Sequence, residues 1–205
     1  MPSRNSTKIY AEEQFYHIYN RGAHKQPIFN DDQDFTVFLS LLKRILGKDQ
    51  QSDKFGRHYL HLRSEVSIVT YCLMPNHFHL LCFNKSQMGI EKLLRSITTS
   101  YSMYYNRKYN HSGHVFEGIY KASLIESDQY LQHITRYIHR NPKHYAEYNY
   151  SSYQSLVKKL NVPWVDSETF WSTFEGSAEE YIKFVEDYTD YKKSLEEITD
   201  QLANK

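Results

Sequence analysis

Val66-Ser67-Ile68-Val69-Thr70-Tyr71-Cys72 and His77-Phe78-His79-Leu80-Leu81-Cys82-Phe83, with Met74-Pro75-Asn76 between them, decide how this chain reads. Both runs are built from β-branched, aromatic and other apolar residues that suit a pleated, half-buried surface. Pro75 has no N–H to offer a ladder, so the short link is a turn. Together they predict two strands of one hairpin. Within the second strand, residues two apart share a face. His77 and His79 then stand side by side, roughly 7 Å apart at Cα, while Phe78, Leu80 and Cys82 turn the other way, toward the helices.

Outward from the hairpin, the punctuation is regular. Upstream, Gln14-Phe15-Tyr16-His17-Ile18-Tyr19 reads as a first strand, ended by Asn20-Arg21-Gly22. Asp31 to Asp34 offers N-cap chemistry, Phe35, Val37, Phe38, Leu41, Leu42 and Ile45 follow at helical spacing, and Gly47 stops them. Residues 47–63 are polar and aperiodic, and read as a loop. Downstream, Ile90, Leu93, Leu94, Ile97, Tyr101, Tyr104 and Tyr105 mark a helix over 89–108, broken from Asn110 to Gly113. His114 to Ile125 reads as a fourth strand, bent at Gly118. Asp128 then caps a helix carrying Tyr130, Ile134, Tyr137 and Ile138, which Pro142 ends near Asn141.

This order, β-α-β-β-α-β with a further helix, is that of the ferredoxin-like split βαβ: an α+β fold with an antiparallel sheet and helices on one face. Beyond residue 150 the chain reads as helical, over Ser151 to Leu160 and Ser177 to Tyr188, before an acidic end. The division is a domain over 1–150 and an acidic helical extension over 151–205.

Composition bounds the function. Two cysteines cannot make a disulfide scaffold, and 205 residues suit one domain with an appendage. No apolar run approaches the ~18 residues of a membrane span, and Met1 to Glu13 has no apolar stretch of a secretory signal. The reading is a soluble, cytoplasmic protein with no membrane partner. The net charge of +1 hides an asymmetry: residues 1–145 carry 19 Lys+Arg against 12 Asp+Glu, and residues 146–205 carry 6 against 12. All eleven histidines lie in the first part, as do most of the nineteen tyrosines. A basic body suits a polyanion partner; attraction between the two halves explains the same numbers.

Two imidazoles on one face of a strand can converge on a divalent metal, or be ordinary half-buried histidines. Tyr137 and Asn141, at i and i+4, share a helix face, with His133 one turn back on the same stripe. A tyrosine hydroxyl and an amide oxygen brought to a His-bound metal would set a nucleophile beside a Lewis acid. A core stripe that stops at Asn-Pro fits the same letters. Pattern alone leaves both open.

The residues resemble a known family. Met74-Pro75-Asn76-His77-Phe78-His79-Leu80-Leu81 looks like the His-hydrophobe-His motif of single-tyrosine HUH transposases, above all the REP-associated tyrosine transposases and their insertion-sequence relatives. Tyr16-His17-Ile18 with Asn20-Arg21-Gly22, Gly113-His114-Val115-Phe116, Tyr120-Lys121-Ala122, Tyr137-Ile138-His139-Arg140-Asn141-Pro142 and Ser151-Ser152-Tyr153 are similar to further segments of that family, in its order. The resemblance covers about residues 14–155. It implies that His77 and His79 bind Mg²⁺ or Mn²⁺, with Asn141 as third ligand. It implies that Tyr137 is the nucleophile of a single-stranded DNA endonuclease and strand transferase, leaving a 5′-phosphotyrosine link and a free 3′-OH. Hairpin DNA is the implied substrate, and both monomers and homodimers are known among relatives. Imidazole suits Mn²⁺ better than Mg²⁺, so the sequence does not choose the ion. Two departures stand out. Glu117 and Gly118 follow the aromatic where the family often has Gln then Arg, and Lys143 follows Asn141-Pro142 where an apolar residue is commoner.

Arg21, Lys25, Arg95, Arg107, Lys108, Lys121, Arg136, Arg140 and Lys143 are candidate phosphate contacts. Tyr101, Tyr104 and Tyr105 continue an apolar stripe and read as core. The competing reading is a catalytically silent module that binds hairpin nucleic acid; a His-rich metalloprotein unrelated to DNA sits poorly with the basic body.

Overall fold

The computed structural model describes residues 10–174 and 177–198. The first nine residues and 199–205, the last part of the acidic end, lie outside the described residues. Four strands, β1 (Gln14–Arg21), β2 (Val66–Met74), β3 (His77–Asn84) and β4 (Lys121–Leu124), form one sheet in the order β2-β3-β1-β4. Every pairing is antiparallel. The hairpin is present, and its second strand lies beside β1, as the ferredoxin-like order requires.

The two crossover helices, α1 (Asp32–Leu46) and α2 (Gly89–Tyr109), lie against one face. Tyr16, Ile18, Phe78, Leu80 and Cys82 are buried there with Phe38, Leu42 and Ile45 of α1 and Leu93, Leu94 and Ile97 of α2. The Asp31 side chain accepts the Asp34 N–H and so caps α1, as its letters predict. A bulge at Val69 shifts the register between Ile68 and Thr70. Ile68 and Tyr71, three apart, therefore both face this core, while Val69 and Cys72 face the other side.

The fourth strand is shorter than the sequence predicts. Only Lys121–Leu124 pairs with β1, and residues 114–120 are irregular apart from a bridge between Gly22 and Phe116. Gly113 and Gly118 hold φ of +114° and +121°, which interrupts an extended run. The following helix, α3 (Asp128–His139), is capped one residue earlier than expected, by the Ser127 hydroxyl accepting the Tyr130 N–H.

Helices on one face describe the two crossovers. The second face is covered by α3 and by α4 (Tyr153–Val157), α5 (Ser167–Thr173), α6 (Ala178–Glu186) and α7 (Tyr188–Ile198). The helix expected over 151–160 is only the five residues of α4, and α5 is an element the sequence reading lacks. Val69, Cys72 and Leu81 of the sheet meet Leu131, Ile134 and Ile138 of α3, and behind them Phe170, Tyr181 and Val185. Among the described residues no helix is long and apolar enough to cross a membrane.

Candidate active site

The register of β1 on β3 builds one end of the site. Tyr19 lies opposite His79 and Arg21 opposite His77. Cross-strand partners share a face, so these four side chains stand on the face that α3 covers. Leu131, Ile134 and Ile138 are buried, which sets the rotation of α3 about its axis. Tyr137 is thereby aimed at the histidines, and Asn141, two residues past the end of α3, reaches them from the helix terminus.

The side chains meet closely. His77 Nε2 lies 3.0 Å from Asn141 Oδ1, and His79 Nε2 lies 3.2 Å from Asn141 Nδ2. The Tyr137 ring stands edge-on to His79, with centroids 5.3 Å apart, and edge-on to His17 at 6.0 Å. Tyr19 packs on both ligand candidates, 5.0 Å from His79 and 5.7 Å from His77.

His17, which the sequence reading placed in a strand but gave no role, belongs to this cluster. Its Nε2 is 2.9 Å from His79 Nδ1, and the two rings stack at 5.1 Å. Burial holds all three imidazoles neutral. It lowers His17 to about 3 and His79 well below the ordinary value, the latter also because a proton on His79 would compete with one on the neighbouring His17 or His77. His77 is lowered by burial, against the Asn141 hydrogen bond that raises it and with the Arg21 charge that lowers it. Neutral imidazole is the metal-binding form.

The donor set fits a cation. Asn76 Nδ2 donates to the Lys25 carbonyl at 3.2 Å, which turns its Oδ1 toward His77 Nδ1 at 2.6 Å. His77 Nδ1 therefore carries the ring proton, and the neutral ring presents a lone pair at Nε2. That lone pair faces Asn141 Oδ1, an acceptor, and a cation satisfies both. Among the described residues no group of three or more His, Cys, Asp or Glu side chains could hold a metal ion; the third donor near the histidines is an amide.

The remaining candidates divide sharply. Arg21 makes a two-pronged pair with Glu117: Nη2 lies 3.0 Å from Oε1 and Nε contacts Oε2. Lys121 sits in β4 opposite Tyr19, on the histidine side of the sheet. Lys25, Arg107 and Lys143 are exposed. Lys108 is bound into a cluster with Asp31 and Asp34 at 2.7 and 2.8 Å, away from the histidines. Arg136 is fully buried, donating to the Phe184 carbonyl and paired with Asp190 at 2.8 Å, so it presents no surface to DNA. Arg140 donates to the Val185 carbonyl and lies over Tyr191. His133 is buried beside Arg136 and stacks on Phe184, toward the C-terminal helices and not with Tyr137 at the histidines.

The site is thus a pair of histidines on β3 facing a tyrosine on α3 and the amide of Asn141, just past the end of that helix. Residues 47–141 match the family described as Transposase IS200 like, a segment that holds His77, His79, Tyr137 and Asn141. The match covers that segment, a little under half of the chain. No curated protein matches the chain. Among solved structures, a REP-associated tyrosine transposase bound to a REP hairpin shares the fold: TM-score 0.55, 12% identity, 78% of this chain and 90% of that one covered. A candidate transposase from Deinococcus radiodurans R1 matches at TM-score 0.41 and 15% identity, over 66% of this chain and 95% of that one.

Proposed function

We propose that this chain is a metal-dependent single-strand DNA endonuclease and strand transferase that works through a 5′-phosphotyrosine intermediate on Tyr137. The observation that carries the reading is the meeting of His77 and His79 at the Asn141 amide, with Tyr137 one helical turn away against His79. A free tyrosine has a pKa near 10 and is a poor nucleophile at neutral pH. A divalent ion, Mg²⁺ or Mn²⁺, held by His77, His79 and Asn141 would draw charge from the scissile phosphate and make it the better electrophile.

The chain's own side chains do the rest. α3 holds the Tyr137 ring edge-on to His79, which restricts where its oxygen can travel. As the Tyr137 oxygen bonds to phosphorus, its phenolic proton leaves. The bond from phosphorus to the 3′-oxygen breaks, and that oxygen takes up a proton to become a 3′-OH. Reversal by the same or another 3′-OH joins strands with no external energy source. The solved relative is bound to a REP hairpin, and hairpin-tailed single-stranded DNA in the cytoplasm is the proposed partner here.

The test is covalent capture. The full chain is incubated with hairpin-tailed single-stranded DNA and Mn²⁺, and the adduct is mapped by peptide mass. Wild type should form an adduct at Tyr137, and Tyr137→Phe should form none. An equal yield from Tyr137→Phe removes the assignment. Tight hairpin binding with no adduct under any divalent ion would make the chain a binding module instead.

A further inference from the structure

Glu117 stands where an acid would repel DNA, beside the cation closest to the histidines. The β1–β3 register sets Arg21 directly opposite His77, on the histidine face. Its guanidinium is held edge-on by both Glu117 oxygens. The Glu117 backbone is tied to the same strand end, its N–H donating to the Arg21 carbonyl at 2.9 Å beside the Gly22–Phe116 bridge. The carboxylate also lies in the field of Lys121 and Lys25, which with Arg21 hold it below the ordinary glutamate value. A lone carboxylate among three cations next to a phosphate-handling site needs a reason.

We propose that Arg21 is the positioning residue for the phosphate at the cleavage site, and that Glu117 is its internal stand-in, occupying the guanidinium until DNA displaces it. This rests on the proposed DNA reading of the histidine site. A carboxylate and a phosphate present the same two-oxygen edge to a guanidinium, so one can replace the other without moving Arg21. The exchange is feasible because both side chains are open to solvent in part, at 33% and 43%, and a phosphate offers the guanidinium the same two-pronged contact that the carboxylate gives up. Glu117 has somewhere to go: it lines an open cavity of about 620 Å³ together with Tyr105, His114 and Phe116. The backbone ties of residue 117 do not pass through its side chain, so the carboxylate can swing out while β1 stays in place.

The experiment measures non-covalent binding of oligothymidylate to the full chain in a Tyr137→Phe background, across a salt series, with thermal unfolding as a fold control. In the wild-type pair, phosphate merely replaces a carboxylate, so Arg21 adds little to the salt dependence. Glu117→Gln frees Arg21 to bind phosphate outright. It should tighten binding several-fold at low salt and steepen the log–log salt slope by about 0.7. Arg21→Ala should weaken binding, and adding Glu117→Gln to it should restore no steeper slope. The swap Arg21→Glu with Glu117→Arg keeps an ion pair but moves the cation away from His77. If the pair only staples the 113–118 segment, the swap restores wild-type binding and Glu117→Gln leaves affinity and slope unchanged; either result overturns the proposal. Failure of wild type to bind single strands or to form the Tyr137 adduct fells the DNA reading itself, which is a different outcome.

Discussion

His17 is the residue on which the candidate ligands depend most. It lies 2.9 Å from His79 Nδ1 in a fully buried position, so it fixes which His79 nitrogen carries the proton and how the ring is turned. His17→Phe keeps a ring of similar size but removes that partner. Mn²⁺ affinity measured by titration calorimetry should fall about 10- to 100-fold, as for the loss of other outer-shell partners. His17→Gln, which can still meet His79, should recover part of it; unchanged affinity in His17→Phe would sink the role. The pair His77 and His79 was legible because a two-residue spacing on a strand sets a shared face; Tyr137 and Asn141 do meet the same histidines, but Asn141 does so from two residues past the end of α3 rather than from its face. His17 was not legible as a partner: it lies across from Leu81 and reaches His79 diagonally, and that depends on register alone. Arg136 failed for a related reason. Beside Tyr137 it reads as a phosphate contact, but its side chain is taken up by Phe184 and Asp190 of helices whose position no local pattern encodes.

At the scale of elements, Asp34 is the buried carboxylate that ties α1 to α2. Asp34 is buried and accepts four hydrogen bonds: from the Asn30 N–H, the Tyr104 and Tyr109 hydroxyls and Lys108 Nζ, all at 2.7–2.8 Å. Burial by itself would raise its pKa; the bonds from Lys108, Asn30, Tyr109 and Tyr104 outweigh that and hold it below the ordinary carboxylate value. A depressed folded-state value means stability that is present above the unfolded carboxyl pKa and lost as pH falls through the folded one. Asp34→Ala should cost about 2–4 kcal/mol in urea unfolding at neutral pH, with the gap from wild type narrowing below about pH 4. A gap that stays constant into acid would show that Asp34 acts by packing rather than charge. The tyrosine stripe of α2 was legible as core, and Tyr101 is fully buried. The use of Tyr104, Tyr109 and Lys108 as donors to one acid seventy residues upstream was not, because it needs the antiparallel docking of two helices. The fourth strand misled for a backbone reason: its letters alternate well, but two glycines at positive φ spend residues 113–120 on a loop.

The whole molecule is a sheet covered on both sides, and the second cover is the C-terminal region. The charge asymmetry allowed two explanations, and part of the body's positive charge is indeed spent on the extension, through Arg136 with Asp190. Helical content there was legible; where the helices dock was not, since each is short and their apolar residues carry no address. Phe170, Tyr181 and Val185 are fully buried. At about 1.5–3 kcal/mol each, their loss alone rivals the 5–15 kcal/mol that holds a typical domain folded. Tyr181 also meets His139 Nδ1 at 2.6 Å, two residues after Tyr137, so the extension backs the helix that carries the proposed nucleophile. Deleting residues 161–205 should therefore lower the thermal midpoint by roughly 10 °C or more, or abolish soluble expression. The Mn²⁺-dependent adduct should be lost with it. Phe170→Ala, at about 3–5 kcal/mol, gives the graded version in an intact chain, and its adduct yield measured below its own midpoint should return toward wild type. A truncated chain with an unshifted midpoint would mean that the second face of the sheet holds α3 in place without its cover.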